Sequence, residues 1–229
     1  MSHLAHLGLL ANLGLFSYMA RRTQALLQRA VPNGRLVYRG SRDARRVALT
    51  FDDGPDELTP AYLDVLDRYG VPGTFFVMGD LCETRPDAVG EYRRRGHQIG
   101  SHGYDHTRFT ALSWAQLEEQ LDRTEREIGP VPEGRLWVRP PYGQFDARAL
   151  AKLWGRGHVV AMWSLDSRDY GHPAAEVIAA RCAPEQVEPG EVLLFHEGHQ
   201  HTVDALPIVI ERLVADGYEL VTMADLFAR

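Results

Sequence analysis

After Gly40 the chain settles into one repeated alternation: a short apolar run, a turn, a stretch of helical period, a Gly or Pro, and then the next apolar run. Val47, Ala48, Leu49 and Phe51 form such a run without in-out polarity, which suits a strand buried on both faces. Leu58, Tyr62, Val65, Leu66 and Tyr69 then fall on one helical face, and Gly70 ends it. Gly73 to Met78 reads as a strand, followed by a helix near Pro86 and a short strand from His97 to Ser101. Ser113 to Gln116 has the form of a capping box that opens a helix with Trp114, Leu117, Leu121 and Ile128 inward. Strands at Leu136 to Val138, His158 to Trp163, Val192 to Phe195 and Tyr218 to Thr222 alternate with helices at Asp146 to Trp154, Pro173 to Arg181 and Val203 to Ala215. Pro207 predicts a bend or a late start in the last helix. Such βα repetition implies a parallel sheet, open or closed into a barrel. At 229 residues and 45% hydrophobic, the chain supports one large core and needs no second.

The polar residues with chemical potential follow the apolar runs. Asp52 and Asp53 end the first, His102 the third, Arg139 the fourth, Asp166 and Asp169 come after the fifth, and His196 ends the sixth. In a parallel barrel these C-terminal strand ends share one rim, where catalytic groups collect. Taken alone, the two aspartates favour a helix cap beside a solvated carboxylate. His102 and His106 are four apart, a spacing at which two imidazoles share one face of a helical turn and can hold one metal. With Asp53 they make a His-His-Asp set that leaves a position open for water. Asp105 points off that face and reads as structural. Arg139-Pro140-Pro141-Tyr142-Gly143 is stiff. Arg139 either packs under a rigid turn or pairs with a carboxylate and lowers its pKa, with the Tyr142 N–H then available to an oxyanion. A carboxylate from Asp166 or Asp169 beside His196 would raise its pKa and orient it as a general acid. His199 and His201 follow in a Gly-, Gln- and Thr-containing loop and read as solvated.

A net charge of −6 with only short Arg clusters leaves no electrostatic footprint for nucleic acid. Cys82 and Cys182 have no C-x-x-C spacing and read as core thiols. Residues 1–40 form an N-terminal apolar and basic segment, distinct from the body at 41–229. Its run at residues 4–20 lacks charges but contains His6 and Asn12, and Arg21, Arg22 and Arg29 follow it. It suits a spanning helix, a helix lying on a membrane or against the domain, or an atypical signal. If it spans, the basic flank keeps the domain on the cytoplasmic side.

Taken together, Thr50-Phe51-Asp52-Asp53-Gly54-Pro55, His102 with His106, Arg139 to Gly143, Trp163 to Tyr170 and Leu194-Phe195-His196 resemble the five ordered motifs of the NodB-homology polysaccharide deacetylases, carbohydrate esterase family four. The resemblance covers residues 46 to 226. It implies a distorted (β/α) barrel with about seven βα units instead of eight, and metal-dependent removal of N-acetyl groups from an amino-sugar polymer or oligomer in the cell envelope. It further implies Asp52 as base, Asp53, His102 and His106 as metal ligands, Arg139 orienting the base, and the Tyr142 N–H at the oxyanion. His196 would be the acid, supported by the motif that holds Asp166 and Asp169. Leu194 would line the acetyl pocket, with Trp163 and Tyr170 lining the substrate groove. Zinc is the default ion, and Co2+ or another divalent metal also fits the donors. Gly103 stands where the family usually has Ser or Thr, and Tyr170 where it usually has Trp. The first removes a local hydrogen bond, and the second bears on substrate choice. De-O-acetylation of xylan, amidohydrolysis of a non-sugar compound, and an inactive carbohydrate-binding module are the competing readings. Oligomeric state is not legible.

Overall fold

The computed structural model describes Leu26, Gln28, Val31 and residues 34–228. The apolar run at residues 4–20 lies outside these residues. Among the described residues, no helix is long and apolar enough to cross a membrane.

Among the described residues nine strands form one parallel sheet: β1 Leu36–Val37, β2 Arg46–Asp52, β3 Thr74–Val77, β4 Gln98–Ser101, β5 Trp137–Val138, β6 Val159–Ala161, β7 Leu165–Asp166, β8 Val192–His196 and β9 Glu219–Leu220. Their order is β1-β6-β5-β4-β3-β2-β8-β7, with β9 beside the start of β2. β1 and β7 end the path without closing on each other, so the sheet is an incomplete, distorted barrel. Among the described residues the helices that surround it are α1 Thr59–Tyr69, α2 Gly79–Thr84, α3 Ala88–Arg94, α4 Trp114–Ile128, α5 Ala147–Gly155, α6 Ala175–Arg181, α7 Gln200–Ala215 and α8 Met223–Leu226.

Strand parity sorts the core into two layers, because successive side chains on a strand face opposite ways. Val47, Leu49 and Phe51 of β2 face the helices and join the larger cluster, where Phe51 stacks on Phe75 at 4.7 Å between centroids. Ala48 faces the interior with Val37, Phe76, Trp137, Val159, Ala161 and Val192, and Met223 and Leu226 of α8 pack in the same cluster. The same parity carries Thr50 and Asp52 inward, along with Arg139 after β5 and Leu194 and His196 on β8. The inward columns thus change from apolar to polar toward the C-terminal rim.

Local chemistry sets the element ends. Gly70 caps α1 in the left-handed conformation at φ 63°. At the start of α4, the Ser113 hydroxyl accepts from the Gln116 N–H while the Gln116 side chain accepts from the Ser113 N–H. Trp114 departs from the expected inward face: it is 48% exposed, and the Lys152 ammonium sits 3.8 Å over its ring. α7 begins at Gln200 and runs through Pro207 without a late start. Burial of Val203, Leu206, Val209, Ile210 and Leu213 offsets the hydrogen bond that the proline cannot donate. The sheet also begins earlier than residue 41, since Leu36 and Val37 pair with β6 and both are buried. Both cysteines are buried and free.

Candidate active site

A regular strand would send Asp52 and Asp53 to opposite faces. Asp53 instead takes φ 70°, a left-handed conformation that aspartate tolerates better than most residues, and both carboxylates turn toward His102. Asp52 Oδ2 is 3.7 Å and Asp53 Oδ1 3.4 Å from His102 Nε2. His106 Nε2 also lies 3.4 Å from Asp53 Oδ1. The two histidines do not share a helical turn. Residues 102–108 form a loop in which His106 has φ 60°, and this loop brings the imidazoles to 5.0 Å between centroids. Asp105 accepts from the Thr107 N–H and from Gln120, so it braces that loop.

Three observations fit this donor set to a divalent cation. Asp53 Oδ1 is buried and has no hydrogen-bond partner among the described residues. The ring Nδ1 of His102 is 2.8 Å from the Arg139 carbonyl. A carbonyl only accepts, so Nδ1 carries the proton and Nε2 keeps its lone pair. One ligand atom from each of Asp53, His102 and His106 lies within 4.8 Å of the others, and the 3.4 Å separations are near the ligand–ligand edge of a tetrahedral zinc site, about 3.4 Å. Burial, outweighing Asp53, holds the His102 pKa down to about 3. A ligand must be unprotonated to bind, and His102 is.

Beside this set lies Arg139, fully buried, with Nη1 2.7 Å from Asp52 Oδ1 and 2.9 Å from the Thr50 hydroxyl. Its guanidinium stacks 4.1 Å over Phe76 and donates to the carbonyls of Ala161 and Met162. The pairing is the expected one, and Arg139 pulls the Asp52 pKa down as expected, but burial outweighs that pull. Burial raises the Asp52 pKa from its ordinary value, against the opposing pull of Arg139. The expectation from sequence counted the charge and missed the desolvation.

On the neighbouring strand His196 is the register partner of Asp52. The structure distinguishes the two aspartates near it. Asp169 Oδ1 is 2.7 Å from His196 Nδ1, and its Oδ2 accepts from the His196 N–H at 2.8 Å and the Thr202 hydroxyl at 2.9 Å. Burial pulls the His196 pKa down, but the Asp169 hydrogen bond and charge, with Asp52 and Asp53, raise it to about 9. Asp166 instead accepts from the Arg168 N–H, with the Tyr170 hydroxyl 3.4 Å away. Arg168 at φ 56° separates the two.

The remaining candidates line the approach. Leu194 is buried between Thr50 and Asp166 in the strand register. Trp163 sits 5.7 Å from the Arg139 guanidinium and close under Gly143, where an added Cβ would come within 2.7 Å of its ring. Tyr142 has φ 59°, in a turn closed by bonds from Gly143 to Pro140 and Gln144 to Pro141. Its exposed ring lies 4.4 Å from His106, while the exposed Tyr170 ring meets His196 edge-on at 5.5 Å. Sequence reasoning missed Thr50 and Thr202, which anchor Arg139 and Asp169. It also missed Glu197, a buried acid held by Thr59 and Tyr92 behind Gly54, with its pKa raised by burial to about 8. Strand parity pointed to Thr50. Nothing local marked the other two.

A parallel half-barrel with a His-His-Asp donor set between a carboxylate and a carboxylate-supported histidine defines the class of metal-site α/β proteins. A polysaccharide deacetylase family model matches residues 39–159. The chain is 34% identical over 200 residues to a peptidoglycan-N-acetylglucosamine deacetylase of Bacillus cereus, covering 83% of this chain and 71% of that one. It is 32% identical over 188 residues to the Listeria monocytogenes peptidoglycan-N-acetylglucosamine deacetylase PgdA, covering 80% of this chain. The chain spans about two fifths of that relative, 39% of its length. The crystal structure of a peptidoglycan N-acetylglucosamine deacetylase in complex with a hydroxamate-type benzamide superposes with a TM-score of 0.79 at 32% identity, covering 84% of this chain and 92% of the other. This chain belongs to the polysaccharide deacetylase family. Divalent-metal dependence is general in that family, and the Asp53, His102 and His106 donors suit it.

Proposed function

We propose that the chain hydrolyses the N-acetyl group of an amino-sugar polymer or oligomer, giving acetate and a free amine, with N-acetylglucosamine of peptidoglycan type as its substrate. The carrying observation is that Asp52 and His196 are register partners on adjacent parallel strands, spaced about 4.8 Å apart, beside the three-ligand donor set. A base and an acid thus face one reacting carbon from the same rim.

A divalent ion held by Asp53, His102 and His106, zinc in this reading, supplies Lewis acidity that acidifies water and polarises a carbonyl. The protein's own residues do the rest. Asp52 takes the proton of the attacking water, and its burial raises its basicity toward that task. Arg139 fixes the carboxylate's orientation through the 2.7 Å contact. The Tyr142 N–H donates to the developing oxyanion. His196, charged through Asp169, gives its proton to the leaving nitrogen. Leu194 walls the acetyl methyl, while the Tyr142 and Tyr170 rings offer stacking faces to sugars on either side, with Trp163 beneath. The names of the peptidoglycan deacetylases to which this chain is similar support that substrate.

The test is acetate release by the full chain across peptidoglycan, N-acetylglucosamine oligomers, acetylated xylan and a simple N-acetyl amide. Release from the first two, with equimolar new amine, is expected. Release only from acetyl xylan, or only from the non-sugar amide, contradicts the proposal.

A further inference from the structure

A second histidine cluster lies beyond the residues used above. His172 ends the 3-10 turn that carries Asp169, while His199 and His201 stand at the start of α7. Chain separation hid the grouping, because His199 and His201 alone look solvated. In the folded protein the ring centroids are 4.9 Å apart for His172 and His199, 5.3 Å for His172 and His201, and 5.1 Å for His199 and His201. One ring nitrogen from each lies within 4.8 Å of the others. His199 and His201 are half-buried and His172 is exposed, so the group is reachable from solvent.

We propose that His172, His199 and His201 form a second metal site, separate from the Asp53 centre, that binds a borderline divalent cation of the Zn2+, Co2+ or Ni2+ kind. Three imidazoles without a carboxylate select such ions over Mg2+ or Ca2+, which prefer oxygen ligands. The hydrogen bonding has the form of a ligand set. His201 Nε2 is 2.9 Å from the Asp169 carbonyl, so Nε2 carries the proton and Nδ1 keeps the lone pair. A metal-ligating histidine commonly donates its other ring N–H to a carbonyl in this way, and His102 does the same to Arg139 at the first centre. A cation at the start of a helix meets the positive end of its dipole. The nearby Asp169 carboxylate opposes that effect.

The site has a mechanical consequence. The His172 N–H and the His201 ring both donate to the Asp169 carbonyl at 2.9 Å, and Thr202 of α7 donates to its carboxylate. A cation spanning His172 and the two α7 histidines clasps the Asp169 turn to that helix, and Asp169 holds His196. The three histidines are therefore positioning residues, not catalytic ones.

The proposal does not depend on the reaction assigned above, and its test reads binding. Metal-free full chain is titrated with Zn2+ by calorimetry, and bound metal is counted after dialysis. Wild type should bind two equivalents and the Asp53→Asn/His102→Ala variant one. Adding His172→Gln to that variant should weaken the remaining equivalent by about tenfold or more. His172 is exposed, so this change leaves the core intact, and circular dichroism checks it. Zn2+ should raise the Tm of Asp53→Asn/His102→Ala and lose that effect when His172→Gln is added. One equivalent in wild type, none in Asp53→Asn/His102→Ala, or a second equivalent that survives His172→Gln together with His199→Gln would each overturn the site.

Discussion

One backbone dihedral separates the work of two adjacent aspartates. Asp52 continues the strand into the barrel interior beside Arg139, while Asp53 at φ 70° swings to the histidines. Asp52→Asn should therefore keep bound metal and lose about 10² to 10⁴ in kcat, the usual range for general-base help. Asp53→Asn should instead lose the metal equivalent held with His102 and His106. Metal counting on both variants checks this, and equal loss would contradict the division. The Asp169–His196 pair gives a pH signature. Its histidine pKa is raised to about 9, so its stabilisation is full below the unfolded value of about 6.5 and is lost as pH rises through about 9. In metal-free protein, wild type should lose on the order of 3 kcal/mol of stability between those limits, and Asp169→Asn should flatten that slope. Asp166→Asn should leave it in place. Denaturant titrations at a series of pH values read the difference. The chain order of strands already marked Asp52, Asp53, His102, Arg139 and His196, because each follows an apolar run. It did not separate Asp166 from Asp169, since the left-handed Arg168 between them decides which one turns inward.

Between elements, the β2 and β8 loops are locked together by packing. A Cβ on Gly54 would overlap the Glu197 carboxylate, which Thr59 and Tyr92 hold in place. Gly54→Ala should cost about 1 to 3 kcal/mol, the usual range for overpacking. Glu197→Ala removes the obstacle, so the double variant should be less destabilised than the sum of the two singles. Additive losses in thermal unfolding would contradict the contact. Sequence period was a good guide to the helices, because their buried faces and caps are local, as at Ser113 and Gly70. It failed where tertiary contacts rule. The His102–His106 spacing suggested a helical turn, whereas the chain there is a loop braced by Asp105 and Gln120. The helix Gly79–Thr84 is too short to show a period and was not anticipated.

At the scale of the molecule, parallel pairing brings five strand ends to one rim and leaves the barrel open between β1 and β7. β1 belongs to that sheet although it precedes residue 41, and its two residues are too few to read as a strand from sequence. The Gln28 side chain accepts from the N–H groups of Tyr38 and Arg39, tying the chain before β1 to the residues just after it. Removing residues 1–40 should lower Tm below that of a chain lacking only residues 1–25, by exposing the surface that Leu36 and Val37 cover. Differential scanning calorimetry compares the two. In the proposed function the rim couples a metal held by Asp53, His102 and His106 to an N-deacetylation run by Asp52 and His196. The most direct measurement is acetate and amine release from an N-acetylglucosamine oligomer by the full chain, before chelation, after it, and after Zn2+ is returned. Equimolar acetate and amine that vanish with the metal and return with it are predicted. Undiminished release from verified metal-free protein would contradict the account.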